Sequence, residues 1–196
     1  MHFKDLVAHV IGHDKPTVSF DFLREKINQH HIGVGEIKVW SVQYDTPNRQ
    51  AFYCLKGTER TSPYEDEYDE AEIVYCRELD EHPRELRYAL TKELTHVFDT
   101  QDERVNTKEK FRSLLREIQN QPMPGDASSM YTADVNTRWK AAILLCPKKF
   151  RDEYKAKFDD GNMEEFEIAE KFMVPKWIIP FVMDAYYDEV YARLMI

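Results

Sequence analysis

The segment from Pro83 to Asp99 carries the pattern that most restricts how this chain folds. Proline is well tolerated as the first residue of a helix, and apolar residues then recur at intervals of three and four. This spacing predicts one amphipathic helix over 83–99. Its apolar stripe comprises Leu86, Ala89, Leu90, Leu94, Val97 and Phe98. Lys92, His96 and Asp99 are expected on a neighbouring stripe, because residues three and four apart share a helix face.

The string Lys92-Glu93-Leu94-Thr95-His96 differs by one residue from H-E-x-x-H. In that motif two histidines bind zinc, and the glutamate acts as general base toward the zinc-bound water. Lysine is a poor substitute for the first histidine, because an ammonium has no lone pair to offer and repels a dication. Taken alone, the string is more typical of a solvated helix face than of a metal site.

Composition limits the class of protein. The 196 residues suit one domain, and the net charge of −9 argues against a broad basic face for direct binding of nucleic acid. The three cysteines are far apart and form no C-x-x-C, which fits a reducing compartment. Because no apolar run is long enough for a signal peptide or a membrane span, we expect a cytoplasmic protein with no membrane contact.

Periodicity predicts a single domain over 1–196 with three regions. They are N-terminal helices in 1–35, a small sheet in 36–76, and a helical part carrying the site in 83–196. Strands are predicted over 37–44, 50–55 and 71–76. The turn-forming residues at 45–48 favour a hairpin between the first two strands. The segment 57–70 is predicted to be a polar loop that ends in an acidic tract, 65–70.

The helical part contains a helix predicted over 132–146 and halted by Pro147. Asp134 is expected in its first turn, where a carboxylate also suits the helix dipole. Another long helix is predicted over 175–194, with a bend at Pro180. Further helices are predicted over 3–12, 18–30, 107–119, 148–158 and 163–173.

The order of these parts resembles the ImmA/IrrE family of intracellular metallopeptidases. A strand leads into a helix with a near H-E-x-x-H, and a later helix ends in A-A-x-L-L-x-P. An Ala-Glu-Lys-Phe-x-Val-Pro segment and a last helix follow, so the resemblance covers about 71–194. It implies an α+β, mainly helical, zincin-like metallopeptidase fold with a small three-stranded sheet.

The same resemblance implies roles for individual residues. His96 takes the place of the second histidine ligand, and Glu93 that of the catalytic general base. The family's third ligand opens the helix E-x-x-A-N-x-F-A-A-x-L-L-M-P, and that position falls on Asp134. Lys92 replaces the first histidine, so the site is degenerate.

Two interpretations of this site stay open. In the first, zinc binding is lost, and the Lys92 ammonium fills the metal's space and neutralises Glu93 or Asp134. In the second, zinc or another divalent metal is held by His96 and Asp134, with Asp99 as an alternative ligand. Lys92 then points aside. A site with one nitrogen ligand favours a harder ion or binds zinc weakly. We favour the first interpretation, in which no cofactor is expected.

The resemblance also implies a function. The leading hypothesis is an intracellular regulatory protein that binds a protein partner, such as a helix-turn-helix transcriptional repressor of mobile elements or stress responses. An alternative is an active metal-dependent endopeptidase with an altered ligand set that cleaves a regulator. A third hypothesis makes the acidic tract 65–70 a decoy that mimics nucleic acid for a basic partner.

Overall fold

The computed structural model describes residues 1–43, 51–59, 68–123 and 125–196. Two N-terminal helices, α1 (Phe3–Ile11) and α2 (Phe20–His30), precede the strands β1 (Val34–Val42), β2 (Ala51–Glu59) and β3 (Tyr68–Cys76). The later helices are α3 (Pro83–Leu94), α4 (Lys108–Asn120), α5 (Ser129–Leu145), α6 (Lys148–Asp159), α7 (Glu165–Phe172), α8 (Ile179–Val182) and α9 (Tyr186–Leu194). Short 3-10 helices cover Arg77–Glu81, Thr95–Phe98 and Lys176–Ile178.

This architecture confirms the predicted α+β class with a small three-stranded sheet and a mainly helical remainder. Helix α3 lies between the sheet and the other helices, because it contacts both β2 and α5. The core at this junction includes Ile73, Leu90, Leu94, Ala141, Leu144 and Leu145. None of the helices in the described part of the chain is long and apolar enough to cross a membrane.

The sheet has the strand order β1-β3-β2, with β1 parallel and β2 antiparallel to β3. The predicted hairpin between the first two strands is therefore wrong, because β3 lies between them. Burial explains the central place of β3, whose Ala71 and Ile73 are fully buried and whose backbone is paired on both sides. The turn-forming residues 45–48, and Tyr44 at the predicted strand end, lie outside the described residues.

The prediction of a polar loop over 57–70 is also wrong at both ends. Strand β2 continues to Glu59 and β3 begins at Tyr68, with Thr58 opposite Asp69. Polar residues form strands here because the ladder with the neighbouring strand pairs their backbone groups. Within the acidic tract, Asp69 pairs with Arg104 at 3.3 Å, and Glu70 pairs with Lys38 at 3.4 Å. Residues 65–67 lie outside the described residues.

The helix predicted over 83–99 is interrupted. Helix α3 ends at Leu94, and Thr95–Phe98 continues as a 3-10 helix. The Thr95 hydroxyl donates to the Lys92 carbonyl at 2.8 Å, a local bond that competes with the regular helical pattern. As a result, the imidazole of His96 does not project from the same α-helix as Lys92.

Helix α5 begins earlier than predicted. Its N-cap is Ser128, whose hydroxyl accepts from the Tyr131 amide and donates to Glu117 at 2.8 Å. Asp134 therefore lies in the second turn, and the prediction that it sits at the helix start is wrong. Its carboxylate is held by side chains and not by the helix terminus.

The helix predicted over 175–194 is instead three pieces, Lys176–Ile178, α8 and α9. Pro180 does not bend a long helix, because it lies at the start of α8 where proline is tolerated. The break follows Val182. The buried guanidinium of Arg151 donates to the carbonyls of Val182 and Asp184, both at 3.0 Å, and so satisfies backbone groups that the break leaves free.

Arg87 on α3 makes a comparable link between distant segments. Its guanidinium donates to the Val18 carbonyl at 2.9 Å and to the Phe172 and Met173 carbonyls at 2.7 Å. Burial lowers the pKa of Arg87 to about 10, so the side chain stays charged at neutral pH. One side chain thereby attaches α3 to the segment before α2 and to the end of α7.

We predict that Arg87→Met destabilises the fold by about 2 kcal/mol, because it leaves carbonyls at three positions without a donor. The free energy of unfolding from denaturant titration measures this loss. The matched control is Arg84→Met on the same helix, which removes only a surface pair with Glu170 and should cost less than about 1 kcal/mol. Equal losses in the two variants would contradict a linking role for Arg87.

Candidate functional site

The facing surfaces of α3 and α5 bring together the charged residues that the sequence singled out. The Lys92 ammonium lies 2.7 Å from Asp134 Oδ1 and 3.1 Å from Glu93 Oε1. The side chains are 19%, 10% and 8% exposed for Lys92, Asp134 and Glu93, so water screens these contacts weakly. The ammonium thus joins a carboxylate of its own helix to a carboxylate of α5.

The charge state of Lys92 follows from these two neighbours. Burial alone would lower the pKa of Lys92, but the negative charges of Glu93 and Asp134 outweigh it and hold that pKa above its usual value. The pKa of Asp134 is lowered, because the ammonium outweighs the opposing effect of burial. A lysine that stays protonated has no lone pair, so it can neither ligate a metal nor act as a nucleophile.

His96 lies beside this bridge and is oriented by Asp99. Its Nδ1 is 2.6 Å from Asp99 Oδ2, while Nε2 faces Glu93 Oε2 at 3.8 Å. The carboxylates of Asp99 and Glu93 therefore lie against different nitrogens of one ring. This placement fits Asp99 as the group that positions the imidazole, and it fits poorly with Asp99 as a ligand of an ion that His96 binds through Nε2.

Strand β2 closes the cluster from the sheet side. The Tyr53 amide donates to Glu93 Oε2 at 3.0 Å, and the Tyr53 ring stacks on His96 with centroids 6.1 Å apart. Both carboxylate oxygens of Glu93 are thus engaged, one by an ammonium and one by a backbone amide.

Two cations of α5 belong to the cluster although the sequence did not single them out. Arg138 pairs with Asp134 Oδ2 at 3.2 Å, and the Lys140 ammonium lies 3.7 Å from Asp99 Oδ1. The one available signal for Lys140 is a lone charge at the start of the apolar run that follows Trp139. Arg138 has a signal in its spacing, since it lies four residues after Asp134 on one helix.

The cluster is balanced in charge. Apart from the imidazole, the three cations Lys92, Arg138 and Lys140 face the three carboxylates Glu93, Asp99 and Asp134. Buried carboxylates need nearby positive charge, and here protein side chains supply it. The electrostatic requirement that a dication would meet in a metallopeptidase site is already met.

The residues present do not fit a zinc ion. Zinc binds to three or four nitrogen, sulfur or oxygen donors that converge on one point, and an ammonium within that set repels it. Among the described residues, no group of three or more His, Cys, Asp and Glu side chains is arranged to hold a metal. Asp134 and Glu93 converge on the Lys92 nitrogen instead.

Comparison of this chain with models of protein families, with curated proteins and with solved structures finds no match.

We predict that Lys92→Met destabilises the protein by about 3 kcal/mol at about pH 7, because it leaves two buried carboxylates without their shared cation. The deficit should shrink on acidification, since protonation of Asp134 removes part of the uncompensated charge. In the wild type the Asp134 pKa lies below its ordinary 3.8, so this residue stabilises above that pH and its contribution is lost as the pH falls further. Denaturant titrations between about pH 3 and 7 measure both proteins.

The double variant Lys92→Met with Asp134→Asn provides the control. Removing one carboxylate together with the cation should recover part of the stability lost in Lys92→Met at neutral pH. If the two substitutions change the free energy of unfolding additively, Lys92 and Asp134 are not energetically coupled, and the proposed bridge between α3 and α5 is contradicted.

Proposed function

We propose that this chain is an ImmA/IrrE-like regulatory protein with a zincin-like fold and a degenerate zinc site. It acts by binding a protein partner and not by hydrolysing one. The observation that supports this most directly is the Lys92 ammonium, which takes the position between Glu93 and Asp134 that a metal would need. In this proposal an ammonium stands where a peptidase would hold its metal, so the cluster lacks the chemistry of a peptidase.

The alternative of an active metal-dependent endopeptidase has less support. A general base must have a free carboxylate oxygen within reach of the water it activates. Glu93 has one oxygen on the Lys92 ammonium and the other on the Tyr53 amide. Because Asp134 is also bound by Lys92 and Arg138, the altered ligand set would have to break several ion pairs before a metal could enter.

A partner segment has a natural place beside the cluster. In the order β1-β3-β2, strand β2 has a strand neighbour on one side only within the described residues. Exposed strand edges bind extended peptides through backbone hydrogen bonds, with side-chain contacts adding selectivity. We place the partner at the outer edge of β2 on either side of Tyr53, whose own amide is taken by Glu93, and its class is a helix-turn-helix regulator.

Metal content tests the degenerate site. Elemental mass spectrometry of the purified protein should find no stoichiometric zinc, because Lys92 repels the ion. The restoring variant Lys92→His supplies the missing imidazole and removes the positive charge, so it should take up about one equivalent of zinc. Adding His96→Ala to this variant should abolish the uptake.

The same zinc measurements also define the results that would contradict the proposal. A full equivalent of zinc in the unmodified protein that is lost in His96→Ala would show a working metal centre and overturn the proposal. Absence of zinc from a folded Lys92→His variant would show that His96 and Asp134 are not placed as ligands, and the kinship with metallopeptidases would lose its support.

Photo-crosslinking tests the partner. A photoreactive residue at Phe52 on β2 should form an adduct in the producing cells with a helix-turn-helix regulator, identified by mass spectrometry. The control position is Phe166 on α7, which is 52% exposed and belongs to another surface. No adduct at Phe52, or the same adduct at both positions, would argue against binding at the β2 edge.

A further inference from the structure

A second concave site lies where α5, α8 and α9 meet, and the function proposed above does not use it. Its walls are Trp139 of α5, Pro180 and Phe181 of α8, Asp184, and Tyr186 of α9. The pocket is a surface depression with a volume of about 380 Å³, which is ample for a small organic headgroup. It opens to solvent, since Tyr186 is 45% exposed.

The rings in this pocket stand at steep angles to one another. Trp139 and Phe181 have centroids 4.5 Å apart and planes inclined at 75°, and Trp139 and Tyr186 have centroids 6.0 Å apart and planes at 70°. At these distances the edge of one ring packs on the face of the next, and the three rings present surfaces that face in different directions. Each aromatic face carries partial negative charge, which attracts a cation placed against it.

These rings are not covered by a cation of the protein itself. Elsewhere, Arg151 lies 4.4 Å from the ring centroid of Tyr187, and Lys148 lies 5.6 Å from that of Tyr191. No Lys or Arg in the described ranges makes such a contact with the three rings of this pocket. Within the described ranges, the rings of this pocket therefore carry no lysine or arginine of the chain itself.

Asp184 adds a full negative charge at the rim. Its Oδ1 accepts the Tyr186 amide at 2.7 Å, which fixes the carboxylate at the start of α9. The side chain is exposed, and no ion pair with Asp184 forms within the described part of the chain. An aromatic corner with one unpaired carboxylate selects a cation that is large, apolar at its surface and weakly hydrated.

We propose that this pocket binds a quaternary ammonium group, of the kind carried by choline or by trimethyllysine. Methyl groups on the nitrogen match the apolar ring faces, and the spread positive charge is attracted by both the rings and Asp184. A primary ammonium holds its water more strongly and forms hydrogen bonds that the rings cannot replace, so it should bind worse.

Titrations followed in ¹H–¹⁵N spectra through the three tryptophan indole signals test this assignment. Choline should give a saturable shift of the Trp139 signal and leave those of Trp40 and Trp177 in place. The neutral isostere 3,3-dimethyl-1-butanol has the same shape without charge, and ethanolamine has the charge without the methyl groups. Both should bind at least tenfold more weakly than choline. A parallel titration with free trimethyllysine shows whether the pocket prefers the quaternary ammonium group of choline or that of a methylated lysine.

Two variants and one control locate the binding. Asp184→Asn keeps the acceptor for the Tyr186 amide and removes only the charge, so it should weaken choline severalfold without unfolding the protein. Tyr186→Leu keeps apolar bulk and removes one ring, and it should weaken choline about tenfold. Phe166→Leu removes an exposed ring from another surface and should change nothing.

Three results would overturn the assignment. The first is that the Trp139 indole signal shows no saturable shift even at choline concentrations well above about 1 mM, the dissociation constant of a weak complex. The second is equal affinity for choline and its neutral isostere, which would make the pocket a plain apolar crevice. The third is unchanged choline binding in both Asp184→Asn and Tyr186→Leu.

Discussion

The ammonium of Lys92 is the contact on which the site depends. It joins Glu93 of α3 to Asp134 of α5 in a nearly dry space, where an unpaired carboxylate is costly. Replacing such a bridge with apolar side chains would not necessarily weaken a protein, so its value lies in geometry. It fixes how α3 is rotated against α5, and with that rotation the places of His96 and the edge of β2.

Much of this arrangement follows from local pattern. Spacings of three and four residues locate α3 and α5, because a helix that packs on a core must present apolar side chains at that period. The same periodicity places Lys92 and Glu93 on a helix, although it predicts that the helix continues to Asp99. Asp134 is singled out by the resemblance to the metallopeptidase motif, aligned on Pro147. That these side chains meet is visible only once the two helices are packed against each other.

Other features depend on partners that are distant in sequence. The end of α3 at Leu94 reflects the Thr95 hydroxyl, which bonds to Lys92 nearby and to Thr137 on α5 at 3.4 Å. The break after Val182 depends on Arg151 of another helix. The central strand is the one whose backbone is paired with a neighbour on both sides, which is β3. The turn-forming residues 45–48 do not predict this order.

The parallel pairing of β1 with β3 has a consequence for the order of events during synthesis. The chain emerges from the ribosome with β1 first, yet the strand that pairs with it comes last of the three. Until Cys76 has cleared the exit tunnel, Ile37 and its neighbours have no ladder to join. The nascent chain therefore passes through an interval in which β1 is complete but the strand that pairs with it in the folded sheet has not yet emerged.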